Sequence, residues 1–272
     1  MRGAFEKGVG RTMGEITEQE IQKYLTGSFG RELVLYDEID STNNAAKLLA
    51  KNGAPHGAAV IARRQTAGKG RLGRRFYSPA GSGIYLTAIL RPEVSVEQSI
   101  LITSAAAVAT ARAIEEVSGV QVRIKWVNDL YLDGKKLCGI LAESALRPEG
   151  GLAYLVVGIG VNVTSSAFPP EVADVATSLS AGTGRSIDRN RLIASVLNHL
   201  EAVYGQLASR EFMKEYRERS CVIGREVRMI QGEHAEQATV LDIDEDARLI
   251  VRTADGIKTV STGEVSLRGD FR

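Results

Sequence analysis

Residues 65–76 read Gln-Thr-Ala-Gly-Lys-Gly-Arg-Leu-Gly-Arg-Arg-Phe, and residues 78–83 read Ser-Pro-Ala-Gly-Ser-Gly. Gly68, Gly70 and Gly73 match G-x-G-x-x-G, the spacing that opens a helix beneath a dinucleotide pyrophosphate. That use demands a helix directly after the loop, with its N-terminus facing the phosphates. Here the loop runs through Pro79, Gly81 and Gly83 into the strand-like run 83–90. A doubly wound dinucleotide fold is therefore the lesser reading. Arg63, Arg64, Lys69, Arg71, Arg74 and Arg75 fall in this region, with no acid between 63 and 75. A solvated basic loop is the plain interpretation of such a run. The interleaved glycines favour an anion site, because they let backbone N–H groups and cations converge on one ligand.

The basic character is local, since the 272-residue chain has a formal net charge of +1. Its 44% hydrophobic content and its length suffice for a full core in one large or two smaller domains. Cys138 and Cys221 are far apart in sequence and lack the spacing of a zinc site or disulfide framework; Cys138 reads as a small core residue. His56, His199 and His234 are scattered and suggest neither a triad nor a metal centre. There is no signal-peptide core or 18-residue apolar run, so a soluble, cytoplasmic protein without a membrane partner is expected. Residues 1–14 are glycine-rich and unpatterned; they read as a disordered lead, or Met13 as the natural start.

Alternation and turn signals predict strands at 33–36, 58–63, 83–90, 120–125 and 152–163, with a hairpin of 130–132 and 137–143 around Asp133-Gly134. Helices are predicted over 15–26, from the cap residues 40–43 to Lys51, over the alanine-rich 96–117, and through most of 189–219. From about Val222 the pattern changes to short strands at 225–230, 236–243, 249–253 and 258–261. The division expected is an N-terminal extension with a short helix (1–30), a catalytic domain (31–220) and a small β-barrel (221–272).

Lys125-Trp126-Val127-Asn128-Asp129-Leu130 ends a strand. Trp126, the only tryptophan, alone reads as core, but beside Asn128 and Asp129 it can flank a nucleotide. Asp129 offers oxygen ligands for magnesium. Lys136 follows the Asp133-Gly134 turn, which can return its ammonium to the same place and stabilise charge at a phosphorus under attack. Gly158-Ile-Gly160-Val-Asn162 ends the next apolar strand, where glycines admit close approach and Asn162 can meet a base; an ordinary strand end explains it equally well.

Taken in order, Asp-Ser-Thr-Asn at 40–43, the Gln65 loop, Lys-Trp-Val-Asn-Asp-Leu, Lys-Leu-Cys-Gly-Ile-Leu at 136–141, Gly-Ile-Gly-Val-Asn and Gly263-Glu-Val-Ser-Leu-Arg268 resemble the bacterial biotin–[acetyl-CoA-carboxylase] ligase family from about residue 33 onward. The resemblance implies an α+β fold. A mixed β-sheet with flanking helices, of the class II synthetase-like kind, would carry a small C-terminal SH3-like β-barrel. It implies an ATP-dependent ligase with biotin and ATP as substrates and Mg2+ as cofactor. Biotinyl-5′-AMP would form first. Biotin would then pass to a lysine of the biotin carboxyl carrier protein of acetyl-CoA carboxylase or a related carboxylase. Ser41, Thr42, Asn43, Gln65, Lys69, Gly70, Arg71, Lys136 and Gly139 would bind biotin. Arg71, Arg74, Phe76, Trp126, Asn128 and Asn162 would bind ATP or the adenylate, Asp129 the metal, and Lys136 and Arg71 would be catalytic. The basic loop would be mobile until ligand orders it.

Departures from the family pattern are Lys69 for a common arginine, Leu72 for a frequent arginine, Val127 where proline is common, and Phe76 where tryptophan occurs. About 40 residues precede Ser41, too few for the winged helix-turn-helix of bifunctional members, so no DNA partner or repressor activity is expected. A side-by-side homodimer is compatible with the resemblance, and no sequence feature decides it. The rivals are a lipoate ligase or lipoyl/octanoyl transferase and a non-catalytic biotin-binding regulator.

Overall fold

The computed structural model describes residues 15–95, 99–164, 168–231, 233–261 and 265–268. Residues 1–14, the first residues of the helix expected at 96–117, and Gly263 and Glu264 of the last motif lie outside them. Helix α1 (Glu18–Tyr24) starts where Thr17 accepts a hydrogen bond from Glu20 N. Strand β1 (Leu33–Ile39) and helix α2 (Thr42–Lys51) follow. Strand β2 (Ala59–Gln65) enters the basic loop and β3 (Gly83–Leu90) leaves it. Then come α3 (Ser99–Ser118), β4 (Arg123–Lys125), β5 (Asp129–Leu132), β6 (Lys135–Leu146) and β7 (Leu152–Asn162). Two short helices, α4 (Pro170–Ala173) and α5 (Leu179–Thr183), occupy a stretch to which sequence patterning assigned no element. The helical region 189–219 is split into α6 (Arg189–Tyr204) and α7 (Phe212–Glu218), with Arg210 between them in the left-handed region at φ 60°.

These strands form a seven-stranded sheet ordered β1-β2-β3-β7-β6-β5-β4. Only the β1–β2 pair, joined through α2, is parallel. Every residue of central β3 is buried, as expected of a strand covered on both faces. On one face, Ala45, Ala46 and Ala50 of α2 pack with Val60, Ile89 and Val156. On the other, α3 and α6 pack closely, and the fully buried Ala106, Ala107, Ala109, Ala111 and Ala113 keep α3 thin enough to lie between sheet and helix. The alanine richness of α3 is thus a packing requirement as well as good helix propensity.

The second sheet contains β8 (Glu226–Gln231), β9 (His234–Ile243), β10 (Leu249–Thr253), β11 (Gly256–Val260) and β12 (Val265–Arg268). It is antiparallel, in the order β11-β10-β9-β8-β12. The fifth strand is supplied by the Val265–Arg268 part of the last sequence motif, pairing with β8. The small sheet is not a separate bead: Val227, Val240, Leu249 and Val251 continue the core that includes Trp126, Val127 and Tyr216. The buried Trp126 Nε1 donates to Ala247 O at 2.8 Å, and Tyr216 Oη donates to Val127 O at 3.0 Å. Ion pairs Arg217–Glu245 and Arg210–Asp246 border this seam. The Trp126–Val127 peptide is cis. Among the described residues no helix is long and apolar enough to cross a membrane.

Replacing Trp126 with Phe keeps the ring but leaves the Ala247 carbonyl without its donor in a dry seam. A loss of about 1–3 kcal/mol in unfolding free energy is expected. Urea denaturation checks it, and an unchanged midpoint would show that the bond contributes nothing.

Candidate active site

The register of the large sheet decides what stands side by side. Asp129 pairs with Gly139, Gly139 with Gly160, and Gly160 with Tyr85. Two residues along, Leu141 pairs with Gly158 and Gly158 with Thr87; two further, Glu143 pairs with Val156 and Val156 with Ile89. Steps of two keep side chains on one face, the face covered by α2. Glycine at 139, 158 and 160 strips this face of side chains beside the N-terminus of α2. A Cβ at Gly158 would lie 2.1 Å from Asn43 Oδ1, and one at Gly160 would lie 2.6 Å from the Phe76 ring.

The space so created has two parts. A small pocket of about 30 Å3 is lined by Ser41, Thr42, Asn43, Gln65, Gly158 and Gly160, among others. A large cleft of about 940 Å3 adjoins it, a size suited to a small-molecule substrate. Gln65, Lys69, Phe76, Gly139 and Leu141 line both, so Phe76 stands at the junction.

The small pocket is polar and tightly bonded. Gln65 Oε1 accepts from Thr42 N at 2.8 Å and Thr42 Oγ1 at 3.0 Å, while Gln65 Nε2 donates to Ser78 Oγ at 3.0 Å. The fully buried Thr87 places Oγ1 2.7 Å from Asn43 Oδ1 and 2.8 Å from Thr42 Oγ1. Asn43 Nδ2 donates to Glu143 Oε2 at 2.8 Å, and Lys47 Nζ holds Glu143 Oε1 at 2.7 Å. Burial works against ionisation of Glu143, but the bonds from Lys47 and Asn43 prevail and hold its carboxyl below the usual range.

The basic loop folds back on itself. Phe76 N donates to Gly68 O at 2.9 Å, Gly70 N to Arg74 O at 2.8 Å, and Arg74 N to Arg71 O at 3.2 Å. Its apex is a 3-10 turn, Arg71–Gly73, with Leu72 left-handed at φ 54°. Lys69 Nζ donates to Asn44 Oδ1 at 2.6 Å, tying the loop to the first turn of α2. Arg71 reaches Asn128 Oδ1 at 3.3 Å across the cleft. Burial lowers the pKa of its guanidinium; Asp129 opposes the fall and Arg74 adds to it. A guanidinium nevertheless stays charged in a protein.

Lys136 Nζ lies 2.8 Å from Asp129 Oδ1, an ion pair whose angles fall short of a hydrogen bond. The same ammonium would lie 3.3 Å from a Cβ at Gly139. Its backbone is clamped: Lys136 N donates to Val175 O at 2.7 Å and Lys136 O accepts from Thr177 N at 2.9 Å. Asn162 Nδ2 donates to Thr177 O at 3.0 Å, bracing the segment that forms the far wall through Phe168, Val172 and Ala176. Asn128 Nδ2 donates to Ile140 O at 2.6 Å.

The predicted site residues therefore gather around one continuous space. Ser41, Thr42 and Asn43 line its small end; Gln65, Lys69, Phe76 and Gly139 line both parts; and Gly70, Arg71, Arg74, Trp126, Asn128, Asp129, Lys136 and Asn162 line the cleft. Trp126 contributes wall rather than a donor, because its N–H is committed to Ala247. Among the described residues no three His, Cys, Asp or Glu side chains cluster as metal ligands. Sequence reasoning missed Asn44, Lys47, Ser78, Thr87, Glu143 and the 168–177 wall. Thr87 alone carried a signal, as the one small hydroxyl side chain in a strand of otherwise aliphatic and aromatic residues.

Two family models match the chain in order. "Biotin/lipoate A/B protein ligase family" covers residues 35–162 and "Biotin protein ligase C terminal domain" covers 222–268. The chain is 35% identical over 260 residues to the bifunctional ligase/repressor BirA of Bacillus subtilis, spanning 93% of this chain and 80% of that protein. It is 34% identical over 247 residues to the biotin–[acetyl-CoA-carboxylase] ligase of Mycobacterium tuberculosis, spanning 88% and 90%. Its fold superposes on the biotin protein ligase from Aquifex aeolicus in complex with biotin and ATP with a TM-score of 0.76 and 31% identity, over 88% of this chain and 99% of that one. A sheet whose glycine columns open a two-part cleft, a C-terminal sheet sharing its core, and relatives of this identity aligned over most of their length agree: the chain belongs to the biotin protein ligase family.

Proposed function

We propose that the two-part cleft adenylates biotin and passes the biotinyl group to a lysine of a biotin carboxyl carrier protein, such as that of acetyl-CoA carboxylase. The observation that carries this reading is the position of Lys136 in the cleft beside Gly139, which also lines the small polar pocket, with Arg71 across from it. The small pocket takes the ureido ring, for which hydroxyl and amide groups at Ser41, Thr42, Asn43 and Gln65 are the right partners. The valeryl carboxylate then points past Phe76 and Gly139 toward the large cleft. Phe76, Trp126, Asn128 and Asn162 wall the nucleotide side.

In the first step a carboxylate oxygen attacks the α-phosphorus and the bond to the β-phosphate oxygen breaks, releasing pyrophosphate. Lys136 and Arg71 stabilise the charge that builds on the phosphoryl oxygens. Asp129 holds the Lys136 ammonium in place. In the second step the carrier amine attacks the acyl carbon, AMP departs and the amine proton is lost. Arg71 and Arg74 keep the mixed anhydride in the cleft until then. No side chain forms a covalent intermediate, so catalysis is positioning and electrostatics. A single carboxylate, Asp129, fits a Mg2+ ion that arrives on the nucleotide phosphates; it does not make a resident metal site. The bound ion supplies charge neutralisation at those phosphates.

Purified protein should catalyse ATP–pyrophosphate exchange with biotin and not with lipoate. Exchange with lipoate alone would move the chain to the sister activity, and biotin binding without exchange would make it a regulator. Lys136→Ala should slow biotin-dependent exchange by about 100- to 1,000-fold while changing the biotin Kd by less than about threefold. An unchanged exchange rate would remove Lys136 from the chemistry. Arg71→Ala should let biotinyl-5′-AMP escape about tenfold faster, read by chasing radiolabelled adenylate from the protein. Equal escape rates would show that retention lies elsewhere.

A further inference from the structure

We propose that Glu143 is a positioning residue for biotin recognition: its carboxylate sets the donor and acceptor sense of the ring pocket. The proposal rests on the reading that this pocket receives the ureido ring. Glu143 lies off the pocket wall, four residues beyond Gly139 on β6 and on the same face; it is hydrogen-bonded to the wall through Asn43 and feels the charge of Lys69, which also lines it.

The argument is a count of protons. An ionised carboxylate only accepts hydrogen bonds. Glu143 Oε1 takes Lys47 Nζ and Oε2 takes Asn43, so Asn43 must turn its NH2 toward Glu143, where it also reaches Leu141 O at 3.3 Å. Asn43 Oδ1 is thereby turned toward Thr87. At the other end Thr42 donates its hydroxyl proton to Gln65 Oε1, and Gln65 turns its NH2 to Ser78, which donates to Phe76 O at 3.0 Å. Thr42 Oγ1, Thr87 Oγ1 and Asn43 Oδ1 are left to share the single proton of Thr87. Thr42 and Asn43, which line the pocket, therefore carry spare acceptor capacity, with the buried Thr87 behind them. That capacity matches a ligand N–H, and a ureido ring supplies one. A dithiolane ring does not, and would leave the acceptors unpaired.

A glutamine at 143 removes this direction, because its amide can donate as well as accept. Asn43 can then flip and present NH2 to Thr87, turning an acceptor wall into a donor wall. Gly158 leaves no other escape, since Asn43 is packed against its backbone.

The test is steady-state biotin-dependent ATP–pyrophosphate exchange on the full chain. Glu143→Gln should raise the KM for biotin by about tenfold or more, with kcat and the KM for ATP within about threefold of the parent. In the double variant Glu143→Gln/Lys47→Met the amide oxygen is no longer drawn to the ammonium and can again accept from Asn43 Nδ2, so the KM for biotin should return to within about threefold of the parent. Lys47→Met alone keeps the carboxylate and should leave the KM for biotin within about threefold. Glu143→Gln with an unchanged KM for biotin, or Lys47→Met as damaging as Glu143→Gln, overturns the proposal; the latter would mean that the ion pair merely supports the fold. Thr42→Val separates the two readings. If it too leaves the KM for biotin unchanged, the ring does not occupy this pocket. If it raises that KM while Glu143→Gln does not, the pocket assignment stands and the role of Glu143 falls.

Discussion

Asn43 lies against the backbone of Gly158 so closely that no side chain fits between them. This contact sets the distance between the start of α2 and the sheet. It follows from two features distant in sequence: a helix cap delivered by β1, and a glycine placed by the pairing of β7 with β3 and β6. Thr87 and Glu143 bond to Asn43 itself, and Gln65 bonds to Thr42 beside it. With Gly158 and Gly160 bare, the sheet presents backbone where most sheets present side chains, and the Phe76 ring settles onto that surface.

The large cleft depends on a different element. Lys125, Trp126, Asn128 and Asp129 line it from a segment that Ala247 and Tyr216 grip from either side. The turn of the small sheet that contains Ala247 is therefore part of the scaffold of the large cleft, even though no residue of that turn lines it. The shared core explains why the second sheet, too small to bury much surface alone, is stable where it stands.

Much of the fold could be read from local patterns. The passage of the basic loop into β3, the alanine face of α3 and the turn at Asp133-Gly134 are short-range signals, and each has its element in the structure. The seven-stranded mixed sheet with its flanking helices agrees with the α+β class expected from the motifs. Trp126 presented a choice between core and a position flanking a nucleotide; it is buried in the core and also lines the large cleft. What local reading missed needed register. Thr87 and Glu143 lie 44 and 100 residues from Asn43, and only the pairing of β3, β7 and β6 brings all three together. The 168–177 wall was missed because its one helix, α4, is a single turn too short for an apolar period; hydrogen bonds with the Lys136 backbone and from Asn162 hold it.

The self-bonded form of the basic loop bears on the entropy of catalysis. A glycine-rich segment that gripped phosphate only through its side chains would have to be ordered residue by residue when the ligand arrived. Here the bonds Phe76–Gly68, Gly70–Arg74 and Arg74–Arg71 join the loop to itself, and Lys69 joins it to α2 through one side-chain contact. Any movement of the loop as one body would keep these internal bonds and exchange only its outer contacts, such as those to Asn44 and Asn128. Ordering such a loop on an anion would cost the freedom of one hinged body rather than that of about a dozen separate backbone units.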